Sequence, residues 1–354
     1  MQDALLRDQR HRAADADGVE RRAYTRHMPS VAPQSRPSGL EPSLFRPEAI
    51  DAETHAFNAQ LAALLADVPP VWTQPPEVTR QLREEGRGPF GPLVLSELAT
   101  SRTLPGPAGP LPVRTFVPET VTGVYLHFHG GGWTLGRPHH YDVLLEAIAR
   151  QARLAVVSVD YRLAPEHPYP AGPDDCEAAG LWLAEHAQAE FGTARLLIGG
   201  DSAGAHLSVV TLLRLRDKHG FGGFSRANLV FGAYDLATCT PSVQHSPPET
   251  LILAPEAIRW FTDQFLPNRA QRSDPDVSPL WADLAHLPTA LFSVGTLDPL
   301  LDDTLFMHAR WIAAGNPAEL AVYPGGVHGF TSFSFGLAQR ANQRIIDFLA
   351  PEPR

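Results

Sequence analysis

An apolar run, Leu196-Leu197-Ile198, meets Gly200-Asp201-Ser202-Ala203-Gly204 and passes at once into a helical pattern that continues to Lys218. Strand, tight turn and helix in immediate succession place one serine at the apex of the turn. Gly200 and Gly204, two residues either side of Ser202, leave space where a larger side chain would jam the strand against the helix. The helix that follows points the positive end of its dipole at any charge formed on the serine. Taken alone, G-x-S-x-G arises by chance in about one chain in ten of this length. The flanking strand and helix make it far more selective, and they mark Ser202 as a nucleophile whose partners must come from elsewhere.

The rest of the chain supplies a setting for such a turn. Solid apolar strands are expected at Val124–Phe128, Leu154–Val159, Leu229–Tyr234, Ala290–Val294 and Leu320–Tyr323. Helical patterns alternate with them at Tyr141–Gln151, Asp174–Glu190, Leu300–Ala314 and Leu337–Leu349. Strands apolar on both faces, alternating with helices, mean a mostly parallel sheet between two helix layers, an α/β class. Ahead of this, Leu93–Ala99 and Pro112–Val117 read as a hairpin around a Gly/Pro turn. Between Pro47 and Ala66 the spacing is helical, with Ile50, Phe57, Leu61, Leu64 and Leu65 on one side and Asp51 with Thr54 as its cap. A proline-rich break, Pro69 to Pro76, precedes a second short helix ending near Glu85. Residues 1–40 mix arginine, aspartate and alanine with no sustained apolar face and read as a mobile tail. Their acidic residues count against a transit peptide.

A serine hydroxyl needs a base within hydrogen-bond reach. Of 15 histidines, His328 lies in a loop just after the last expected strand, at the sheet edge where active sites open. His127, on a strand, reads as a packed or edge residue, and His139 and His140 as helix-start residues. The acid that orients the base is expected to be Asp298, which follows ALFSVG and precedes a proline that opens a helix. Asp302 and Asp303 fall at helical positions and read as solvated or capping. Asp235, after NLVFGAY, is the rival to Asp298. The order Ser, Asp, His matches α/β-hydrolases and not the other serine-protease orders. An oxyanion formed in the reaction needs donors already in place, and losing one costs about a hundred- to a thousandfold in rate. His129-Gly130-Gly131-Gly132 after a buried strand exposes backbone N–H groups, and Ala203, after the nucleophile, adds another.

Composition narrows the alternatives. A net charge of −10 and a pI near 5.8 argue against nucleic-acid binding. Two cysteines, Cys176 and Cys239, make no disulfide framework. No apolar run approaches the roughly 18 residues of a membrane span, and no secretory signal is visible, so a cytoplasmic protein is expected. There is no zinc-ligand spacing and no phosphate-binding loop motif, so neither metal nor cofactor is expected.

FHGGGW (128–133), DYRLAPEHPYPA (160–171), GDSAG (200–204), LDPLLDD (297–303) and YPGGVHGF (323–330) together resemble the hormone-sensitive-lipase family of α/β-hydrolases. The resemblance runs from about residue 47 to the C-terminus. It implies an α/β-hydrolase fold and ester hydrolysis through an acyl-enzyme on Ser202, with His328 as base and Asp298 orienting it. It implies an oxyanion hole of Gly131, Gly132 and Ala203, and supporting positions at His129, Glu166 and Asp201, for which a purely structural role stays open. It also implies a helical cap: residues 41–90 and an insertion at about 240–265, on a catalytic domain spanning 91–354. After GDSAG the family commonly continues with Gly and Asn, whereas this chain has Ala205 and His206. The substrate expected is a small-molecule ester of short to medium acyl chain; an enclosed cap without an interfacial helix favours esterase over lipase. Acyl transfer and amide cleavage would use the same residues, and a non-catalytic ligand-binding protein would predict a broken triad. Neither nucleic acid nor stable membrane insertion is expected, and a homodimer is left open.

Overall fold

A computed structural model describes residues 40–351 of the chain. The segment expected as a tail lies outside the described residues but for Leu40.

The first helix, α1 (Ala52–Leu65), starts where Asp51 accepts a hydrogen bond from Thr54 N at 2.7 Å. Its apolar side is narrower than the spacing suggests. Leu61 is buried and Phe57 stacks on Phe335 with ring centroids 4.0 Å apart, but Leu64 is 54% exposed. After the proline-rich break comes α2 (Pro76–Glu84), opened by proline at its first position.

Strands β1 (Ala99–Gly106) and β2 (Gly109–Phe116) form the hairpin, with Gly106 paired to Gly109 across a two-residue turn. The expected strand at 93–99 is therefore misplaced. Residues 93–98 take no strand conformation, and Ser96 N donates instead to the Asp142 carboxylate at 2.8 Å. A side chain there satisfies the backbone that a ladder would otherwise have to satisfy.

The sheet then proceeds through β3 (Gly123–Phe128), α3 (Asp142–Ala152), β4 (Leu154–Val159), α4 (Ala171–Phe191), β5 (Leu196–Asp201), α5 (Ala203–His219) and β6 (Phe224–Val230). β6 also corrects its expectation at Leu229–Tyr234. At Phe231 the backbone turns to φ 36°, its N–H goes to Ser293 O at 2.7 Å, and residues 231–234 leave the ladder. They remain buried, so their apolar run imitates a strand. Two helices, α6 (Pro241–Gln244) and α7 (Pro255–Phe265), lie between β6 and β7 (Thr289–Gly295). The chain finishes with α8 (Leu301–Ala313), β8 (Ala318–Tyr323) and α9 (Gly336–Leu349).

The strand order is β1-β2-β4-β3-β5-β6-β7-β8, with the β1–β2 and β2–β4 pairs antiparallel and all others parallel. Alternate residues of the inner strands feed two cores, as the two-residue period requires. Leu126, Phe128 and Ile198 pack with Leu183 of α4, Leu207 of α5 and Met307 of α8. Tyr125, Val156 and Leu197 pack with Ile148 of α3 and Ile345 of α9. Because β3, β5, β7 and β8 run in parallel, their C-terminal ends bring His129–Gly132, Ser202, Asp298 and the His328 loop to one edge of the sheet.

Candidate active site

Ser202 sits between β5 and α5 at φ 55°, ψ −119°, a conformation that a residue with a β-carbon rarely adopts. Its N–H is held by Val230 O at 2.8 Å. The turn is also wedged against the end of β3. A β-carbon on Gly200 would come within 2.1 Å of Phe128 O, and one on Gly204 within 1.9 Å. Both positions therefore admit only glycine, and this close approach aligns the serine with the glycine loop that follows Phe128.

His328 Nε2 lies 2.9 Å from Ser202 Oγ, and its Nδ1 lies 3.1 and 2.9 Å from the two oxygens of Asp298. A carboxylate only accepts, so Nδ1 carries the proton and bare Nε2 faces the serine hydroxyl. Asp298 is 3% exposed and takes one further bond, from Leu300 N at 2.8 Å. The loops carrying the pair are tied together: Leu297 N donates to Gly326 O at 3.0 Å and Gly325 N to Thr296 Oγ1 at 2.9 Å. Phe231 covers the imidazole with ring centroids 4.8 Å apart.

The rival acid is spent elsewhere. Asp235 accepts from Ala237 N at 2.9 Å and from the Thr238 hydroxyl at 2.5 Å, closing its own turn. Asp302 does cap, accepting from Ser242 N at 2.8 Å in the short helix α6. Asp303 is a correction: it is neither solvated nor a cap of its own helix but 1% exposed. It accepts from Tyr234 N at 2.7 Å, Asp235 N at 3.0 Å and the Thr240 hydroxyl at 2.7 Å. Burial, only partly offset by these donors, pushes its carboxyl pKa up to about 7.

The glycine loop runs through Gly131 at φ 111°, Gly132 at φ 60° and Trp133 at φ 57°. A β-carbon on Gly132 would lie 2.3 Å from the Phe261 ring of α7. The N–H groups of Gly131, Gly132 and Ala203 are not engaged by any carbonyl or side chain of the described residues. Ala203 opens α5, where first-turn N–H groups have no intrahelical partner. Gly132, Trp133, Ser202 and Ala203 line one pocket of about 30 Å³ together with Leu236, Val243, Leu253, Ile258 and Phe261.

Behind the loop, Asp201 accepts from Gly130 N at 3.1 Å and from the Tyr141 hydroxyl at 2.9 Å, while that hydroxyl also accepts from Gly130 N at 3.0 Å. Burial raises the Asp201 carboxyl pKa and lifts that of Tyr141 far above the usual phenol range. His129 is fully buried, stacks on Tyr161 at 4.2 Å, and burial holds its pKa down to about 4. Glu166 stands further out. It forms a two-armed pair with Arg80 of α2 at 2.6 and 2.9 Å, and the same guanidinium donates to Thr134 O and Ala164 O. Tyr141 and Arg80 had no signal in the sequence, since each matters through a partner more than fifty residues away.

His127 is buried and lies 2.8 Å from Ser158 Oγ, the packed residue expected of it. His139 and His140 form the turn that opens α3, and their Nε2 atoms converge with Glu84 within 4.8 Å. This trio resembles a cation site in outline only. Arg137 N donates to His140 Nδ1 at 3.2 Å, which leaves the proton on Nε2, the atom that faces Glu84. Among the described residues no helix is long and apolar enough to cross a membrane.

Residues 125–332 match a family model described as alpha/beta hydrolase fold. The carboxylic ester hydrolase LipN of Mycobacterium tuberculosis is 38% identical over 239 residues, 65% of this chain and 64% of that protein. Thus the chain spans just under two thirds of LipN. The carboxylesterase NlhH of the same organism is 35% identical over 313 residues, covering 83% of this chain and 92% of its own. Among solved structures, a hyperthermophilic esterase from the archaeon Pyrobaculum calidifontis superposes with a TM-score of 0.75 at 29% identity, over 83% of this chain and 96% of that one. EstE1, a thermostable carboxylesterase from a metagenomic library, does so at 0.71 and 31% identity, over 79% and 99%. Fold, motif order and these likenesses agree, and the chain belongs to the α/β-hydrolase-fold family, in its hormone-sensitive-lipase-like carboxylesterase branch.

Proposed function

We propose that the protein hydrolyses small carboxylic esters of short to medium acyl chain through an acyl-enzyme on Ser202. The observation that carries this is the hydrogen-bonded run from Asp298 through His328 to Ser202, with unengaged backbone N–H groups of Gly132 and Ala203 in the same pocket. In this reading His328 Nε2 takes the Ser202 proton as Oγ attacks the ester carbonyl carbon. The carbonyl oxygen becomes an oxyanion held by the N–H groups of Gly131, Gly132 and Ala203. The tetrahedral species collapses, the C–O bond to the alcohol breaks, and His328 returns its proton to the departing oxygen. Water then attacks the acyl-serine with His328 again as base, releasing the acid and restoring the serine. Asp298 holds the ring with Nδ1–H inward and stabilises the imidazolium.

Residues 41–90 and 240–265 act as the cap in this reading. Apolar side chains from α6 and α7, Val243, Ile258 and Phe261, line the space beside Ser202 and suit an apolar acyl group there. A cytoplasmic setting is supported by both cysteines being free thiols. Turnover of p-nitrophenyl esters from acetyl to palmitoyl, measured beside Ser202→Ala, tests the proposal. Expected is a maximum at the short end and loss by a factor on the order of 10⁵ in the variant. Equal, flat rates in both proteins would overturn it.

A further inference from the structure

His206, where the sequence departs from the family pattern, lies in the first turn of α5, four residues beyond Ser202, and is fully buried. Its Nε2 is 2.8 Å from Val277 O. A carbonyl can only accept, so Nε2 carries the proton. Nδ1 is then bare and accepts from the indole Nε1–H of Trp133 at 3.1 Å. An indole N–H can only donate. His206 thus stands between an acceptor and a donor, and a single neutral tautomer satisfies both. Burial keeps the ring neutral, holding its pKa down to about 4, with Arg214 acting in the same sense and Val277 O and Asp276 opposing.

The Val277 carbonyl is a fixed point. Asp276 beside it receives a two-armed ion pair from Arg214 at 2.7 and 2.5 Å and the Tyr169 hydroxyl at 2.6 Å. Ser278 on its other side accepts from Leu236 N at 2.8 Å. The Trp133 end is strained. Gly131, Gly132 and Trp133 are consecutive residues with positive φ, and Trp133 is the one with a β-carbon. A backbone held this way persists only where its surroundings over-determine it. Four contacts hold Trp133: stacking on Phe265 at 4.7 Å, its carbonyl accepting from Ala164 N at 2.9 Å, the indole bond to His206, and an edge-on ring contact with His206 at 5.1 Å. Of these, the two to His206 tie the loop to α5, the helix that begins at Ala203.

We propose that His206 is a positioning residue, which through Trp133 fixes the glycine loop against the nucleophile helix so that the Gly131, Gly132 and Ala203 N–H groups converge on one oxyanion. This rests on the ester-hydrolase reading above. The step affected is formation of the tetrahedral species, so the effect falls on kcat rather than on binding.

The experiment is a double-mutant cycle on the full chain, with p-nitrophenyl acetate as substrate. His206→Leu and Trp133→Phe should each lower kcat about ten- to a hundredfold with KM within about twofold, the scale of a small misplacement at a reacting centre. The double variant should be no worse than the worse single one, because both remove the same bond. His206→Asn, whose amide offers one acceptor and one donor, should recover part of the loss. Trp133→Phe leaves the His206–Val277 bond in place, so it tests the loss of the His206–Trp133 bond even where the leucine variant folds poorly. Independently of activity, ¹⁵N shifts should show His206 as the neutral Nε2–H tautomer, with the Trp133 indole proton shifted downfield and moving upfield in His206→Leu. Losses that multiply in the double variant, or unchanged kcat in both singles, would overturn the inference. A wild-type protein inert toward every ester would instead overturn the ester-hydrolase reading, while the tautomer measurement still decides the His206–Trp133 bond.

Discussion

Asp298 and Asp303 stand five residues apart, on either side of the start of α8, and both are buried. Asp298 faces an imidazole, with one backbone donor at its other side. Asp303 faces two backbone N–H groups and a hydroxyl, all from the loop that leaves β6. One carboxylate can therefore orient a base, whereas the other clamps the irregular segment at 231–240 that roofs the serine pocket. Burial is common to the two, and what decides between them is the chemistry of the partner. An imidazole turns a carboxylate into the orienting partner of a base; fixed N–H groups turn it into a staple.

This contrast can be broken by substitution, and the largest effect is expected at Asp298. Asp298→Asn keeps the volume but can present N–H to His328 Nδ1, favouring the wrong tautomer, and kcat should fall by roughly 10⁴ with little change in melting temperature. A loss under about tenfold would show that Asp298 is no more functional than its neighbour. Asp303→Asn should do the opposite. It sets an NH2 group where Oδ2 accepts from the Thr240 hydroxyl, while Oδ1 keeps its two N–H partners, so melting should fall by about 2–4 °C while kcat changes less than about tenfold. If instead kcat collapses in a protein that melts normally, Asp303 belongs to the chemistry.

A pH series sharpens the same point. Between about pH 4 and 7 the folded protein keeps a proton on Asp303 that the unfolded chain has released. Its contribution to stability therefore rises as pH falls through 7. The melting-temperature gap between wild type and Asp303→Asn should widen on going from pH 8 to pH 5, and a gap that narrows would contradict the assignment. The smallest effect is expected at Asp235→Asn. Because Asp235 closes its own turn and accepts from the Trp281 indole N–H at 3.4 Å, with no bond to His328, kcat should stay within about threefold of wild type. A larger loss there than at Asp298 would reassign the acid.

Much of this was readable from the chain alone. Gly200-x-Ser202-x-Gly204 between strand and helix, the glycines after β3, and the order of Ser202, Asp298 and His328 each carry a local physical requirement that leaves a mark in sequence. The edges of β1 and β6 were less legible. Val94 and Leu95 look like strand residues but are exposed, and Phe231 to Tyr234 look like strand but bend away under Asp303. In both places a side chain distant in sequence, Asp142 or Asp303, captures backbone groups that a ladder would otherwise use. Propensity cannot register such a competitor.

The sequence by itself determined the α/β class, the strained serine turn and the identities of the residues at the sheet's C-terminal edge, because these follow from periodicity and from sterics within a few residues. Only the tertiary structure decided which acid meets His328, that Asp303 is a staple, and that His206 bridges Trp133 to Val277. Those outcomes depend on which donors and acceptors lie within about 3 Å after folding, and that proximity is set by packing across the whole sheet.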